Sequence, residues 1–281
     1  SGFNTLYLPG LDHAGIATQV VVERRLKAEE GKTRHDLGRE AFVDKVWAWK
    51  EAYGTVICQQ LKQTGASLDW TRLAFSMDEP RRRVTTEAFV RLHEMGRISR
   101  SVRLVNWCCA LRSAISDIEV DYVEIAKPTH VRVPGYEKAV EFGVLYEFAY
   151  LVEGSQDEVV VATTRPETVL GDTAVAVHPS DPRYTHLHGC RLVCHFRAAT
   201  IPVITDATLV DMEMGTGAVK VTPAHDPEDF ECGLRHGLPL LSILTEDGRI
   251  SDYGGPFHGL KRFDGRRAVW QELGALGLQR G

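Results

Sequence analysis

The sequence predicts an α/β protein with a helix-rich first part and a β-rich second part. Residues 3–8 (FNTLYL) are typical of a short strand, and the segment from Asp12 to Gly31 is typical of a helix. Apolar residues then recur at a spacing of three to five from Leu37 to Leu61, as on one face of a long helix. After Pro128, short runs of β-branched and aromatic residues alternate with turn residues, which predicts a compact β-barrel-like domain with a few helices.

Two further elements lie between these parts. A helix is predicted to begin near Asp78 and Pro80 and to end at Gly96. Its apolar residues are expected to face the protein interior: Val84, Phe89, Leu92 and Met95. Residues 102–125 are predicted to form strands joined by a turn.

Length and composition are those of a globular protein. A chain of 281 residues predicts about two domains, which we expect to be residues 1–127 and 128–281. Hydrophobic residues make up 43% and charged residues 25%, and no apolar run is long enough to cross a membrane. A net charge of −5 means that contact with nucleic acid requires a local basic patch. The six dispersed cysteines favour a reducing, cytoplasmic compartment, and the opening resembles an internal segment without a targeting peptide.

Polar side chains that are suited to catalysis or binding are concentrated in two segments. The first, ATTRPETVLGD, brings together Thr163, Thr164, Arg165 and Thr168, although threonines are common in strands and Arg165 could be a surface charge. The second, MGTGAVKVTPAHDPEDF, places Lys220 and Thr222 on one face of a strand, which leads into a helix. Asp226 is the expected N-cap of that helix and Pro227 its first residue.

Acidic residues at a helix start can be purely structural, since they stabilise the helix terminus. Asp226 and Asp229 are nevertheless three residues apart and therefore close in space, so a pocket could use one to hold a cation and the other to bind a hydroxyl. Both interpretations stay open at this point.

These segments closely resemble the editing domain of valyl-tRNA synthetases, in TTRPETVLGDTAVAVHPSDPRY and in GTGAVKVTPAHDPEDFECGLRHGL. The first part resembles the Rossmann-like class I catalytic domain, in LPGLDHAGIATQ and REAFVDKVWAWKEAYG. Leucyl and isoleucyl enzymes differ at Glu167 or at 166–168, and they form the alternative family members. A non-catalytic RNA-binding module derived from a synthetase is the alternative function.

The resemblance implies roles for individual residues. Asp229 is expected to hold the aminoacyl ammonium, and Asp226 with Thr222 the threonine hydroxyl or the attacking water. Arg165 and Lys220 suit the ribose and phosphate of the tRNA end, and the three threonines of the first segment supply hydroxyls. Met214 stands where the family commonly has Phe, on the pocket wall. In the catalytic part, Asp12 resembles the position near the valine amino group, with His13 beside it.

The resemblance also implies the partners. Valine tRNA, valine and ATP with Mg²⁺ are expected for the full-length enzyme, and threonyl-tRNA is the expected editing substrate, whose hydrolysis needs no cofactor. The two ATP-handling signatures of class I enzymes are absent from these 281 residues, so we expect no aminoacylation by this chain alone. The run HLHGCRLVCH has a zinc-like composition, but its spacing matches no paired zinc knuckle, and no metal is predicted there.

Overall fold

The computed structural model describes residues 2–281, which form two compact units. The first unit runs to Ser101 and the second from Val102 to Gly281, so residues 102–127, which we expected to belong to the first domain, lie in the second compact unit. Within residues 2–281, no helix has the length and apolar character needed to cross a membrane.

The first unit consists of helices around one small parallel sheet. Its elements, in chain order, are β1 (Gly10–Leu11), α1 (Gly15–Glu30), α2 (Arg34–Leu37), α3 (Arg39–Tyr53), α4 (Val56–Gln63), β2 (Ala74–Phe75) and α5 (Glu79–Glu94). Strands β1 and β2 pair in parallel, with Gly10 opposite Ala74. A parallel pair joined through helices is the arrangement of Rossmann-like folds, and it confirms the α/β class.

The sequence predicted α1 well and the elements around it less well. Helix α1 ends before Gly31, which adopts the left-handed conformation, as expected. The predicted strand at residues 3–8 is wrong, because the strand lies at Gly10–Leu11. The predicted long helix is three helices. Gly38, with a φ of 79°, separates α2 from α3, and a turn at residues 54–55 separates α3 from α4. A small core joins α1 to α3 through Val22, Leu26 and Phe42.

Helix α5 has the predicted position but not the predicted environment. Asp78 caps it, and its side chain accepts a hydrogen bond from the backbone N–H of Arg81. However, none of its residues is buried, and Val84 and Met95 are more than two-thirds exposed. The expectation that its apolar side chains face the interior of this chain is therefore wrong.

The second unit is mostly β structure. Its strands are β3 (Asn106–Cys108), β4 (Ser113–Ile115), β5 (Thr129–Val131), β6 (Val140–Phe142), β7 (Tyr146–Leu151), β8 (Glu158–Thr163), β9 (Ala174–Val177), β10 (Arg191–Val193), β11 (Thr200–Thr205) and β12 (Ala218–Val221). Two helices follow them, α6 (Pro227–His236) and α7 (Arg262–Ala275). Strands β3 and β4 confirm the strands and turn predicted for residues 102–125.

The strands form one four-stranded sheet and separate antiparallel pairs. The sheet has the order β10-β11-β9-β12, with β9 parallel to β11 and antiparallel to β12. The other pairs are β3-β4, β5-β6 and β7-β8. The β-rich second part is thus as expected, but the hydrogen-bonded strands of residues 102–281 do not close into a barrel.

The core of the second unit determines where its polar side chains meet. Strands β7, β8 and β9 contribute fully buried apolar side chains to it, among them Phe148, Val161 and Val175. A 3₁₀ helix, Pro166–Gly171, follows β8 and is buried along its whole length. Asp172 directly follows this 3₁₀ helix and lies two residues before β9, whose first residue pairs with the last residue of β12.

Candidate functional site

The carboxylate of Asp172 is the centre of a buried polar network. It is fully buried, and its Oδ1 accepts hydrogen bonds from Lys220 Nζ at 3.0 Å and from Thr222 Oγ1 at 2.5 Å. Its Oδ2 accepts a hydrogen bond from the hydroxyl of Tyr150 at 2.7 Å. Strands β9 and β12 run antiparallel here, which brings residues 48 and 50 positions apart into contact.

Lys220 and Thr222 are engaged with each other as well as with Asp172. Lys220 Nζ donates to Thr222 Oγ1 at 2.6 Å, and both side chains are buried. Thr222 directly follows the last residue of β12, and the two side chains lie on the same face of the extended chain, as their spacing predicted. Because the Thr222 hydroxyl accepts from Lys220 and donates to Asp172, it has little capacity left for a further ligand.

Asp229 joins the same network through the backbone. Its Oδ2 accepts a hydrogen bond from the Thr222 N–H at 2.8 Å, and only 7% of the residue is exposed. No Lys, Arg or His within residues 2–281 forms an ion pair with it. Burial raises the pKa of Asp229 to about 6, although the nearby positive charge of Lys220 acts in the opposite direction. The network therefore holds a buried carboxylate that has no cationic partner. Burying an ionised carboxylate in this way costs free energy unless a ligand supplies a cation.

Asp226 is the N-cap of α6, as predicted, and Pro227 occupies the first turn. Its Oδ1 accepts hydrogen bonds from the backbone N–H groups of Glu228 at 3.0 Å and Asp229 at 3.4 Å. The other carboxylate oxygen, Oδ2, has no hydrogen-bond partner among the described residues. One oxygen thus caps the helix while the second is available.

Arg165 lies beside this helix start. Its Nη1 donates a hydrogen bond to the backbone carbonyl of His225 at 2.7 Å, and its Nε is buried without a partner in residues 2–281. The ring of His225 accepts a hydrogen bond at Nε2 from the Ile243 N–H at 2.9 Å. Burial, together with the charges of Arg165 and Lys220, lowers the pKa of His225 to about 4, so this ring is neutral at pH 7.

The three threonines of the first segment have different environments. Thr168 is buried, and its hydroxyl donates to the carbonyl of Arg165 at 2.9 Å. The Thr163 hydroxyl accepts from the Arg165 N–H at 3.1 Å. Thr164 is exposed. Thr163 and Thr168 thus fix the backbone around Arg165, and Thr164 is the one open to solvent.

Glu167 is fully buried between two arginines of α7. It accepts hydrogen bonds from Arg262 Nε at 2.9 Å and from Arg266 Nε and Nη2 at 2.7 and 3.0 Å. Burial raises its pKa, but the hydrogen bonds and charges of these arginines outweigh that effect and lower it to about 2. Glu167 therefore stays ionised and ties the 3₁₀ helix to α7.

Sequence reasoning missed Asp172 and Tyr150 as members of the network. A usable signal was present, because a lysine in a strand that is otherwise apolar requires an acidic partner. Asp172 stood in the quoted motif, seven residues after Arg165. Its partner could be identified only from the pairing of β9 with β12. Met214 lies apart from the network, in a turn, and is 75% exposed.

In the first unit, Asp12 and His13 follow β1 and line a cleft of about 1380 Å³. The His13 ring contacts Ser76 Oγ at 2.8 Å through Nδ1, and Ser76 follows β2. Aromatic residues of α3, Phe42, Trp47 and Trp49, line the same cleft. Ligands of parallel α/β sheets bind beyond the carboxyl ends of the strands, and Asp12 and His13 lie at such an end.

The potential metal ligands that lie close together in the described part of the chain do not suit Mg²⁺. In residues 2–281, three potential ligands meet at Asp206, Cys232 and His236. Asp206 already pairs with Arg235 at 2.7 Å, and a thiol and an imidazole are not the oxygen ligands that Mg²⁺ requires.

Solved structures similar to this chain include the LeuRS-tRNA-LeuAMS ternary complex of Agrobacterium radiobacter K84. That chain is 14% identical, with a TM-score of 0.39, and the match covers 98% of this chain and 44% of that one. GlLeuRS-CP1 is 15% identical, with a TM-score of 0.37, over 49% of this chain and 97% of that one.

Curated relatives are much more similar in sequence. Valine--tRNA ligase, mitochondrial 1, of Arabidopsis thaliana is 57% identical over 100% of this chain and 26% of its own length. Valine--tRNA ligase of Homo sapiens is also 57% identical, over 100% of this chain and 22% of its own length. That of Schizosaccharomyces pombe is 54% identical, over 99% and 28%. The chain thus spans about a quarter of the length of these relatives.

A family model covers most of the chain. The model described as tRNA synthetases class I (I, L, M and V) matches residues 1–224, which include the parallel pair β1-β2 and the residues Asp172, Lys220 and Thr222. The chain therefore belongs to the class I tRNA synthetases of this I, L, M and V group.

Proposed function

We propose that residues 128–281 carry the editing site of a valyl-tRNA synthetase and hydrolyse threonyl-tRNA. Residues 1–127 are proposed to be part of the catalytic domain that charges valine tRNA in the full-length enzyme. The high identity to proteins named valine--tRNA ligase favours the valyl branch over the isoleucyl and leucyl ones. The observation that carries the hydrolytic function is the buried carboxylate of Asp229, which lacks a cationic partner among residues 2–281.

Asp229 is proposed to bind the free ammonium group of the aminoacyl ester. An ionised carboxylate in a buried position is stabilised strongly by a cation at hydrogen-bond distance. Its Oδ2 is held by the Thr222 N–H at 2.8 Å, which fixes the direction of the carboxylate before any ligand arrives. Binding the ammonium should lower the pKa of Asp229. The bound substrate then favours the ionised carboxylate, and the ionised carboxylate in turn favours binding of the substrate.

Asp226 is proposed to recognise the hydroxyl that distinguishes threonine from valine. The two side chains are nearly the same size, and an apolar pocket rejects threonine by only about a hundredfold, a value known for valyl-tRNA synthetases themselves. A polar site discriminates better in the reverse direction, because valine leaves its buried polar groups unpaired. Oδ2 of Asp226 is free to accept the threonine hydroxyl or a proton of the attacking water, while Oδ1 caps α6.

The reaction needs no covalent intermediate on the protein. Water adds to the ester carbonyl, the bond to the ribose oxygen breaks, and threonine and the ribose hydroxyl are released. The ester is already activated, so an oriented water and a polarised carbonyl suffice. Lys220, Thr222 and Asp172 act as positioning residues here, because their polar atoms are engaged with one another inside the network.

The remaining residues of the first segment are proposed to shape the site. Thr163 and Thr168 hold the backbone of Arg165, and Thr164 offers an exposed hydroxyl to the RNA. Met214, in its exposed turn, is proposed to move onto the bound aminoacyl group as part of the pocket wall. Methionine is flexible enough for such a contact.

Asp12 is proposed to bind the valine amino group in the full-length enzyme, with His13 beside it at the edge of the cleft. ATP, supplied with Mg²⁺, would activate valine there with the help of parts of the enzyme outside these 281 residues. We propose a cytoplasmic location. The mitochondrion is the alternative, because a relative named mitochondrial and one without that label are both 57% identical to this chain. Imaging of the tagged full-length protein tests this.

The proposal is tested by incubating the 281-residue chain with valine tRNA charged with labelled threonine or valine. We expect release of threonine and little release of valine. The Asp229→Asn variant should hydrolyse threonyl-tRNA at least about thirtyfold more slowly, because a desolvated charge pair is lost. Glu228→Gln is the matched control, since Glu228 is an exposed acid in the same helical turn.

Two outcomes would contradict the proposal. One is a parent chain that releases threonine no faster than buffer does. The other is an Asp229→Asn variant that is folded and as active as Glu228→Gln. Binding of tRNA without hydrolysis would favour the RNA-binding module instead.

A further inference from the structure

The charges of two guanidinium groups, Arg165 and Arg262, reach His225, and both groups have donors that are not used. Arg165 uses Nη1 to bind the His225 carbonyl, while its Nε is buried and has no partner in the described chain. Arg262 uses Nε to bind Glu167 at 2.9 Å. Its two terminal nitrogens form no hydrogen bond with any of residues 2–281, and 31% of its side chain is exposed.

Glu167 holds Arg262 in place. This carboxylate is fully buried and also binds Arg266, whose side chain is only 7% exposed. Arg266 binds Glu167 through Nε and Nη2. Arg262 binds it through Nε alone, so its two terminal nitrogens remain available. An arginine fixed in this way loses little further side-chain entropy when it binds an oxyanion with its remaining donors.

Positive charge is in excess around this point. Arg262 and Arg266 bind Glu167, and the charge of Arg165 is close to both. Glu167 and Asp226 are the carboxylates with the largest opposing effect on Arg165. Burial and then the charge of Arg262 lower the pKa of Arg165, and the same charge contributes to the lowered pKa of His225.

Lys220, the other candidate for an anion contact, is not suited to it. Its ammonium is buried and donates to Asp172 and Thr222. An incoming phosphate would have to break this network, whereas Arg165 and Arg262 have donors that no group among residues 2–281 uses.

We propose that Arg165 and Arg262, with Glu167 as the positioning residue, form a binding subsite for a phosphodiester group at the 3′ end of the RNA substrate. The identity of that RNA rests on the proposed editing function. Arg262 contributes a charge-assisted contact to a phosphate oxygen, and Arg165 the second donor. The subsite would bring the ester within reach of Asp229 and Asp226 by holding the adjoining backbone.

The test measures affinity for an RNA hairpin that ends in CCA, either natural or with its last two phosphodiesters replaced by uncharged methylphosphonates. On the natural RNA, we expect Arg262→Gln to weaken binding about tenfold, as for one charge-assisted contact. The slope of log affinity against log salt should fall by about one. On the methylphosphonate RNA, Arg262→Gln and the parent chain should bind alike.

Arg267→Gln is the matched control, because Arg267 lies on the same helix, is exposed and pairs only with Asp264 within the described chain. It should change both affinities equally and by little. Arg262→Gln also removes a partner of Glu167, so its unfolding is followed by circular dichroism. Arg262→Lys, which keeps the charge, should retain most of the salt dependence.

Failure of this proposal is distinct from failure of editing. If the parent chain releases threonine but Arg262→Gln behaves as Arg267→Gln on both RNAs, the subsite is wrong and the editing function stands. If the parent chain prefers the natural RNA and Arg262→Gln abolishes that preference without any threonine release, the subsite stands and editing is wrong. A parent chain that binds the two RNAs equally well, or binds neither, overturns the subsite.

Discussion

Asp172 and Lys220 form a buried ion pair across two neighbouring strands, with 3.0 Å between Oδ1 and Nζ. The side chains are 0% and 8% exposed, so neither charge is solvated by bulk water. Buried pairs contribute little net stability relative to apolar residues, but removing one partner leaves an uncompensated charge. The pair therefore acts chiefly to fix the positions of Thr222 and, through its N–H, Asp229.

The first prediction concerns this pair. Lys220→Met should lower the free energy of unfolding by about 3 to 5 kcal/mol, because Asp172 is left buried without a cation. The double variant Lys220→Met, Asp172→Asn should recover part of that loss. Urea unfolding of the parent chain, Lys220→Met, Asp172→Asn and the double variant measures these changes in the free energy of unfolding. Lys138→Met, at an exposed position in the same unit, is the control and should change little.

If Lys220→Met and the control are equally stable, the pair is not buried in solution. If the double variant is no more stable than Lys220→Met, the loss comes from packing of the lysine and not from an unpaired carboxylate.

The second prediction concerns the pH dependence that Asp229 imposes on stability. Its pKa is raised from 3.8 to about 6 by burial, so between these values the folded state binds a proton that the unfolded state has released. Stability is therefore lost as pH rises from about 4 to 6, and the loss is constant above that. The shift corresponds to about 3 kcal/mol at 1.36 kcal/mol per unit.

Asp229→Asn removes this loss, because an amide carbonyl can still accept the Thr222 N–H without carrying a charge. We expect the variant to be more stable than the parent chain at pH 8 and equally stable near pH 4, while it loses threonyl-tRNA hydrolysis. Thermal unfolding across this range checks it, with Glu228→Gln as the control. A variant that is less stable at pH 8 would mean that Asp229 is already neutralised in the free protein.

The third prediction concerns Glu167, whose pKa is lowered in the folded state, whereas that of Asp229 is raised. Its pKa is lowered to about 2 in the folded state, so its contribution is complete above about pH 4.5 and is lost as pH falls towards 2. Glu167→Gln should destabilise the chain by about 3 to 5 kcal/mol at pH 7, because Arg266 stays buried without its counter-ion. Denaturant unfolding at pH 7 and pH 3 should show a smaller difference at the lower pH.

Glu158→Gln is the control for this prediction. Glu158 pairs with Arg280 at the surface, with 36% of its side chain exposed. Exposed pairs contribute about 0 to 1 kcal/mol, so this variant should unfold nearly as the parent chain does. Equal effects of the two substitutions would argue against a buried Glu167.

The elements predicted most accurately from sequence are those with local signals. Helix α6 begins where Asp226 and Pro227 indicate, because a cap and a first-turn proline act within one turn of chain. Helix α1 ends at Glu30 because the next residue, Gly31, adopts the left-handed conformation, which is also a local signal. The pairing of Lys220 with Thr222 on one face of the extended chain also follows from strand periodicity alone.

What the sequence did not predict depends on distant parts of the chain. The partner of Lys220 is 48 residues away, and finding it requires the register between β9 and β12. Periodicity correctly indicated that the apolar residues of α5 recur along a helix, but it could not indicate what covers them. Likewise, alternating strands were consistent with a barrel, and only the hydrogen-bond pairing showed a four-stranded sheet with separate hairpins.

The last prediction separates the two roles of Asp226. Oδ1 caps α6, and Oδ2 is proposed to bind the threonine hydroxyl. Serine is about as good an N-cap as aspartate, but it has a single oxygen, whereas alanine loses the cap at a cost of about 0.5 to 2 kcal/mol. Asp226→Ser should therefore keep the stability of the parent chain and lose its preference for threonyl-tRNA over valyl-tRNA, and Asp226→Ala should lose both.

Asp78→Ser is the control, because Asp78 caps α5 in the first unit through the Arg81 N–H and has no part in the proposed site. It should leave the ratio of threonine to valine release unchanged. Melting curves and deacylation rates, measured on the same preparations, compare stability with selectivity. If Asp226→Ser edits as selectively as the parent chain, capping explains this residue completely, and the hydroxyl must be recognised elsewhere, since the Thr222 hydroxyl is already engaged on both sides.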